Sequence, residues 1–193
     1  MLKIGILIYQ NVAEMDFVGP LEVLSDVNKL QENSTEVYLV AQTKDVIKAF
    51  NGMMILPAYD FSSVPDLDVL VVPGGKGRIT EMYNPLMREF ILRQEKCAKY
   101  ITSVCTGAFI LAEAGLLNGK KATTFHHALK ELDVYPEISV ETKKVVDAGR
   151  IITAAGVTSG LELGFYLLKI LFDEQLAKEV ASFMEYEVDV DKL

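Results

Sequence analysis

Several residue types are scarce in this chain of 193 residues, and each scarcity excludes a class of protein. Two cysteines are too few for a disulfide framework, which fits a protein of the reducing cytosol. The 19 basic residues are outnumbered by 27 acidic ones, so the net charge of −8 argues against binding to nucleic acid or to an anionic membrane surface. The composition predicts one cytoplasmic domain covering residues 1–193.

Long apolar runs and histidines are also scarce. No apolar run reaches the ~20 residues of a membrane span, and no small-residue cleavage site follows the apolar start of the chain. His126 and His127 are the only histidines, and we expect neighbouring positions to point to different faces. No HExxH or CxxC motif accompanies them, so the sequence predicts a surface or packing role and no metal site.

Apolar and β-branched runs predict the strands of a buried sheet. Four runs have the character of such strands: residues 3–9, 35–42, 67–73 and 100–104. Two turn sequences, Asn51-Gly52 and Asp147-Ala148-Gly149, predict antiparallel hairpins.

Helical spacing of apolar residues alternates with these strands. Helices are expected at residues 20–30, 85–98 and 107–117 and in two stretches after Thr158, with Pro20 at the first helical position of its helix. The alternation predicts an α/β fold with a doubly wound, mostly parallel sheet flanked by helices. Sites in such sheets lie beyond the carboxyl ends of the strands. Three segments occupy that position: residues 11–19, 74–78 and 105–107.

Cys105 lies where a predicted strand turns into a predicted helix, with Gly107 two residues later. This order resembles the sharp elbow that presents a nucleophile in α/β hydrolases. N–H groups at the start of the helix would lower the thiol pKa from about 8.5. On this interpretation Cys105 reacts with iodoacetamide much faster than Cys97. A small buried core residue is the alternative.

Gly74 and Gly75 follow another predicted strand. Glycines in that place let backbone N–H groups turn outward, and together with the N–H of Thr106 they would form an oxyanion hole beside a thiolate. Lys76 belongs to no phosphate-binding loop, because that motif needs serine or threonine directly after Gly-Lys. An ordinary tight turn is the alternative.

Two acids, Glu14 and Asp16, precede the first predicted helix. Either could cap the N-terminus of that helix, which is the simpler interpretation. At the same sheet edge as Cys105, an acid could instead exchange a proton with the thiol or with substrate. The residues alone leave both interpretations open.

Four segments together resemble the ThiJ/PfpI superfamily, which has a class I glutamine-amidotransferase-like, flavodoxin-like fold with a cysteine on the elbow. They are IGILIYQNVAEMDFVGPLEVL, VLVVPGG, SVCTGAFILAEAGLLNGKKATT and RIITAAGVTSGLELGFYLL, and they cover nearly the whole chain. CTG together with MD-x-x-GP-x-E is most similar to the isonitrile hydratases of bacteria and to the ligand-binding halves of AraC-type regulators. The resemblance also implies a homodimer.

Carried over by position, the resemblance implies that Cys105 is the catalytic nucleophile, Asp16 the catalytic acid and Thr106 a threonine needed for activity. The implied reaction is the hydration of an isonitrile, a small-molecule substrate, to an N-substituted formamide without metal or cofactor. The protease-like branch has histidine where this chain has Thr106, so peptidase activity is not expected. Relatives typically have ATTHW where this chain has ATTFHH, so Phe125 replaces a histidine and changes the pocket.

Two alternatives to the hydratase remain open. One is another cysteine-dependent activity of the superfamily, on glyoxals or glycated groups, although those members usually carry glutamate at the position of Asp16. The other is a ligand or redox sensor without enzymatic activity, since a reactive thiol is easily oxidised. Regulators of this type append a DNA-binding helical domain, which is not expected within these 193 residues. Turnover of substrate distinguishes an enzyme from a sensor.

Overall fold

The computed structural model describes all 193 residues, Met1–Leu193. Its eleven strands are β1 (Leu2–Leu7), β2 (Thr35–Ala41), β3 (Ile47–Lys48), β4 (Met54–Ile55), β5 (Tyr59–Asp60), β6 (Val69–Val72), β7 (Tyr100–Val104), β8 (Lys121–Ala122), β9 (Ser139–Val140), β10 (Val145–Asp147) and β11 (Ile151–Ala154). Its seven α-helices are α1 (Glu14–Leu30), α2 (Arg78–Glu81), α3 (Pro85–Glu95), α4 (Gly107–Glu113), α5 (Leu129–Leu132), α6 (Ser159–Leu171) and α7 (Glu174–Phe183).

Seven strands form one sheet in the order β10-β11-β7-β6-β1-β2-β5, and every pairing in it is parallel except β10-β11. This confirms the predicted mostly parallel α/β sheet. The central strands are buried; in β6 all four residues, Val69–Val72, are inaccessible to solvent. Burying one such aliphatic side chain contributes roughly 1.5–3 kcal/mol, which explains why these runs occupy the middle of the sheet.

One continuous core of 54 buried apolar residues joins the sheet to its helices. Helix α1 packs against α6 and α7, and α4 packs against β6 and β7. None of the helices combines the length and the apolar character needed to cross a membrane.

Helix α1 begins six residues earlier than predicted and contains Pro20 in its interior. Proline has no N–H to donate to the carbonyl of Asp16, four residues earlier, and this interruption costs a helix roughly 3 kcal/mol. The contact with α6 is close: a Cβ on Gly160 would lie 3.0 Å from Pro20 Cδ and 3.6 Å from the Asp16 carbonyl oxygen. Packing against α6 therefore outweighs the helix-breaking preference of Pro20. As a result the helix starts before Asp16, which lies within its first turn.

Both hairpins form where the turn sequences predicted them, with Gly52 and Gly149 at positive φ angles of 104° and 88°. Helix α4 ends four residues earlier than predicted, because Gly115 follows it in the left-handed conformation. The elements β5, β8, β9, α2 and α5 were not predicted from the sequence, because each has only two to four residues and is too short to show periodicity.

Candidate active site

Cys105 lies in the sharp turn between β7 and α4 and has a φ angle of 56°. The left-handed conformation costs an L-residue roughly 1–2 kcal/mol, so the surroundings must hold it. The N–H of Cys105 donates to the carbonyls of Ala154 and Ala155 at 3.1 and 2.9 Å. Its own carbonyl accepts a hydrogen bond from the Thr124 hydroxyl at 2.8 Å. The strand-to-helix elbow expected from the sequence is present.

Gly107 allows the start of α4 to lie directly on the end of β6. A Cβ at this position would be 2.0 Å from the Val72 carbonyl oxygen and 2.8 Å from the Pro73 carbonyl oxygen, which no side chain can tolerate. This close approach brings Thr106 against the backbone of Gly74, where an added Cβ would meet the Thr106 hydroxyl at 2.5 Å.

Asp16 is completely buried and does not cap α1. Its Oδ2 accepts a hydrogen bond from the N–H of Gly74 at 3.0 Å, while Oδ1 completes no hydrogen bond. Burial raises the pKa of this carboxyl to about 7, and interactions with the Cys105 thiol and the Gly74 N–H oppose the rise. A carboxyl group that titrates near neutral pH can both accept and donate a proton. The capping interpretation of Asp16 is therefore wrong.

The second acid, Glu14, has a different environment. Its carboxylate accepts hydrogen bonds from the N–H and the side-chain amide of Asn51, at 2.7 and 2.8 Å. These bonds tie the start of α1 to the β3-β4 hairpin. Glu14 does not cap α1 either, since the N-terminus of that helix has no side-chain cap.

The pKa of the Cys105 thiol differs from the one expected from the sequence. Burial, together with the charge of Asp16, raises its pKa to about 12, although the N–H groups of Thr106 and Val157 lower it. The predicted lowering of the thiol pKa is therefore wrong, because desolvation and a neighbouring carboxylate outweigh the start of α4. The resting pair is a protonated thiol beside an acid that can accept its proton.

We therefore expect iodoacetamide to modify Cys97 before Cys105 in the folded protein. Cys97 is exposed just after α3, whereas Cys105 is buried and protonated, and alkylation requires thiolate. Peptide mass spectrometry after brief labelling at about pH 7.5 measures the order, and Cys97→Ser should leave only the slow reaction. Faster labelling of Cys105 would show instead that Asp16 already holds the thiol proton.

Gly74 and Gly75 follow β6 as expected, but their N–H groups are occupied. The N–H of Gly74 donates to Asp16, and the N–H of Gly75 donates to Thr106 Oγ1 at 3.1 Å. The predicted oxyanion hole at these glycines is therefore wrong; they hold the acid and the threonine instead. The backbone N–H groups that act on the thiol belong to Thr106 and to Val157, a residue that the sequence analysis missed.

The position of Val157 could have been noticed in the sequence. It lies just beyond the carboxyl end of β11, at the sheet edge where a site is expected, and it has a positive φ angle of 50°. A valine side chain has no reactive or polar group, however, and Val157 acts on the Cys105 thiol only through its backbone N–H.

A cavity of about 460 Å³ opens over Cys105 and Thr106, a volume typical of small-molecule sites. Most of its wall is apolar and comes from Met15, Phe50, Ile79, Phe125 and Val157. The cavity therefore combines a largely apolar wall with polar residues, which are Cys105, Thr106, Glu14, Asn51, Lys76 and Arg78.

Phe125 lines this cavity and packs tightly against Gly156, where an added Cβ would lie 2.2 Å from the ring. His126 and His127 follow in an exposed 3-10 turn, with their rings 3.9 Å apart and centred 4.6 and 5.2 Å from Phe125. The expectation that the two histidines point to different faces is wrong, because this turn brings the rings together. They pack at the surface beside Phe125.

A doubly wound sheet with a cysteine on a strained strand-to-helix elbow, beside a buried acid, defines a class of α/β proteins with a cysteine at the carboxyl edge of the sheet. The chain belongs to the DJ-1/PfpI family, whose model matches residues 2–170.

Among its relatives, the isonitrile hydratase of Pseudomonas putida is 35% identical over 188 residues, which cover 96% of this chain and 78% of the relative. The deglycase PfpI of Pyrococcus furiosus is 31% identical over 54% of this chain and 64% of the relative. A solved structure of a ThiJ/PfpI family protein from Pseudomonas syringae superposes with a TM-score of 0.89 at 34% identity, covering 97% of this chain and 76% of that one. The activities named for these relatives differ.

Proposed function

We propose that this protein is an enzyme that hydrates an isonitrile to an N-substituted formamide. The observation that carries the proposal is the pairing of Cys105, on the elbow beneath the cavity, with a buried Asp16 whose pKa is about 7. An isonitrile carbon must gain a proton and a nucleophile, and this pair supplies both. The similarity to the Pseudomonas putida hydratase supports the assignment.

In the first half of the reaction the thiol adds to the isonitrile. The ionised Asp16 carboxylate removes the proton from Cys105, and the thiolate attacks the terminal carbon of R–NC. The protonated Asp16 then returns the proton to the same carbon, which gives the thioimidate R–N=CH–S–Cys105. Oδ1 is free for this transfer, because Oδ2 is bound to Gly74.

In the second half, water hydrolyses the thioimidate. Water adds to the carbon while the nitrogen gains a proton, which gives R–NH–CH(OH)–S–Cys105. Collapse of this intermediate releases R–NH–CHO, and the thiol of Cys105 is restored. The Thr106 hydroxyl oxygen already accepts from Gly75, so its O–H is directed to donate to substrate or water.

Product identification tests the proposal. The protein is incubated with a series of alkyl and aryl isonitriles and, in parallel, with methylglyoxal, and the products are followed by 13C NMR. We expect formamide from the isonitriles at a rate proportional to enzyme concentration, and no comparable consumption of methylglyoxal. Conversion of methylglyoxal alone would support a glyoxalase- or deglycase-like activity, and binding without turnover would support a sensor.

We also propose a homodimer in the cytoplasm. Dimers are common in the superfamily, and both cysteines are free thiols, as in a reducing compartment. The β3-β4 hairpin and its flanks expose Phe50, Met53, Met54 and Leu56, an apolar surface that a second copy would cover.

Light scattering at micromolar concentration measures this assembly. We expect twice the chain mass of 21.4 kDa, and we expect Met54→Glu combined with Leu56→Glu to dissociate the dimer. A wild-type mass of 21.4 kDa would exclude it.

A further inference from the structure

A tyrosine hydroxyl lies behind the acid, on the far side of one peptide group. Tyr9 follows β1 and is buried, and its hydroxyl donates to the carbonyl of Pro73 at 2.7 Å. No other protein group donates to that carbonyl. The N–H of the same trans peptide belongs to Gly74 and donates to Oδ2 of Asp16 at 3.0 Å. The two hydrogen bonds are therefore connected in series.

We propose that Tyr9 is a positioning residue that sets the proton affinity of Asp16 through the Pro73–Gly74 peptide. A hydrogen bond to an amide carbonyl polarises the amide and strengthens its N–H as a donor. A stronger donor to Asp16 stabilises the carboxylate over the neutral acid. The residue acts on the acid without touching substrate. The catalytic consequence of this coupling rests on the proposed function, whereas the coupling between Tyr9 and Asp16 does not.

Gly74 is the only backbone donor to the carboxylate of Asp16. Asp16 accepts a single completed hydrogen bond, from Gly74, and its other oxygen has none. Besides that N–H, the interactions that shift its titration are burial and the Cys105 thiol. A change in the strength of the Gly74 N–H therefore acts directly on the acid, beside the constant effects of burial and of the Cys105 thiol.

The Tyr9 hydroxyl remains a donor throughout the pH range in which Asp16 titrates. Burial, followed by the charges of Asp16, Glu81 and Cys105, raises its pKa well above the usual value, and only Arg78 opposes this. The ring is also held in place: a Cβ on Gly77 would lie 3.0 Å from its edge. Tyr9 is thus a fixed, neutral donor.

Tyr9→Phe removes the hydroxyl and keeps the ring. We expect the pKa of Asp16 to rise by roughly 0.1–0.7 unit, since cooperative strengthening is of order 10–30% of a charge-assisted hydrogen bond. The measurement is a carboxyl 13C NMR titration, with the Asp16 resonance identified by its absence in Asp16→Asn. Tyr166→Phe is the matched control, because it removes a tyrosine hydroxyl that donates to Asp147 on β10. If the pKa of Asp16 in Tyr9→Phe equals that of wild type, as it should in the control, the proposal is overturned.

A second variant changes the donor in the opposite direction. Incorporation of 3-fluorotyrosine at position 9 makes the phenol a stronger donor with little change in shape, so the pKa of Asp16 should fall. If the role of Tyr9 is purely structural, the two variants would change the melting temperature and leave the pKa of Asp16 unchanged. The titration requires no substrate, so it supports or overturns the coupling even if isonitriles prove not to be the substrate.

Discussion

Replacing Cys105 by alanine is expected to reduce isonitrile turnover by roughly 10⁴–10⁶-fold, the size of effect seen when a nucleophile that acts with its partners is removed. Without the sulfur no thioimidate forms, and Asp16 has no thiol to deprotonate. Alanine keeps the left-handed backbone conformation as strained as before, so the fold should be retained. Steady-state formamide production, together with a melting curve, measures both effects.

Cys97→Ala is the matched control for this variant. It removes the other thiol, which is exposed and lies outside the cavity, so turnover should be unchanged. Turnover within tenfold of wild type in Cys105→Ala would exclude a covalent intermediate. The site would then activate water directly.

Asp16→Asn is expected to lower turnover by roughly 10²–10⁴-fold, the usual contribution of general acid–base catalysis. The amide keeps the shape of the side chain and can still accept from Gly74, but it cannot carry a proton from the thiol to the substrate. The kinetics of formamide release measure the loss.

Glu14→Gln is the control for Asp16→Asn, because Glu14 lines the cavity and is held by Asn51. Its turnover should stay within a few-fold of wild type. Loss of activity in Glu14→Gln with full activity in Asp16→Asn would show that Glu14 is the acid. Full activity in both would mean that the proton comes from water or from Cys105 itself.

The same Asp16 variant should change stability in a pH-dependent way. The folded-state pKa of about 7 lies above the unfolded value near 3.9, so the folded state favours the protonated acid. Ionisation of the buried acid therefore destabilises wild type progressively from about pH 4 to 7, by up to about 4 kcal/mol above that range. Asp16→Asn lacks this loss, so its melting temperature should exceed that of wild type by a margin that grows between these pH values and then stays constant. A margin independent of pH would contradict the raised pKa.

Much of the scaffold around the site could be predicted from local sequence. Residues 100–104 form β7 and Gly107 begins α4, so the elbow at Cys105 follows from a β-branched run and a glycine. Asn51-Gly52 likewise specifies its hairpin by itself, since left-handed turn positions favour these residues. In each case the signal and the structure lie within a few residues of each other.

The chemistry of the site could not be predicted in the same way. Asp16 receives its hydrogen bond from Gly74, 58 residues away, and that bond consumes the N–H expected to bind an oxyanion. Gly75 is likewise committed to Thr106, 31 residues away. The titration of the thiol and the acid depends on burial, which no window of sequence reports.

The sequence by itself determined the parallel sheet, the place of Cys105 at its carboxyl edge and the presence of an acid nearby, because these follow from periodicity, turn chemistry and chain order. Only the tertiary structure decided that α1 continues through Pro20 and that Asp16 is a buried acid bound to the N–H of Gly74 rather than a cap. It also decided that burial and the neighbouring Asp16 raise the pKa of the Cys105 thiol. The reason is that packing against α6, desolvation and hydrogen bonds between distant residues outweigh local preferences of a few kcal/mol.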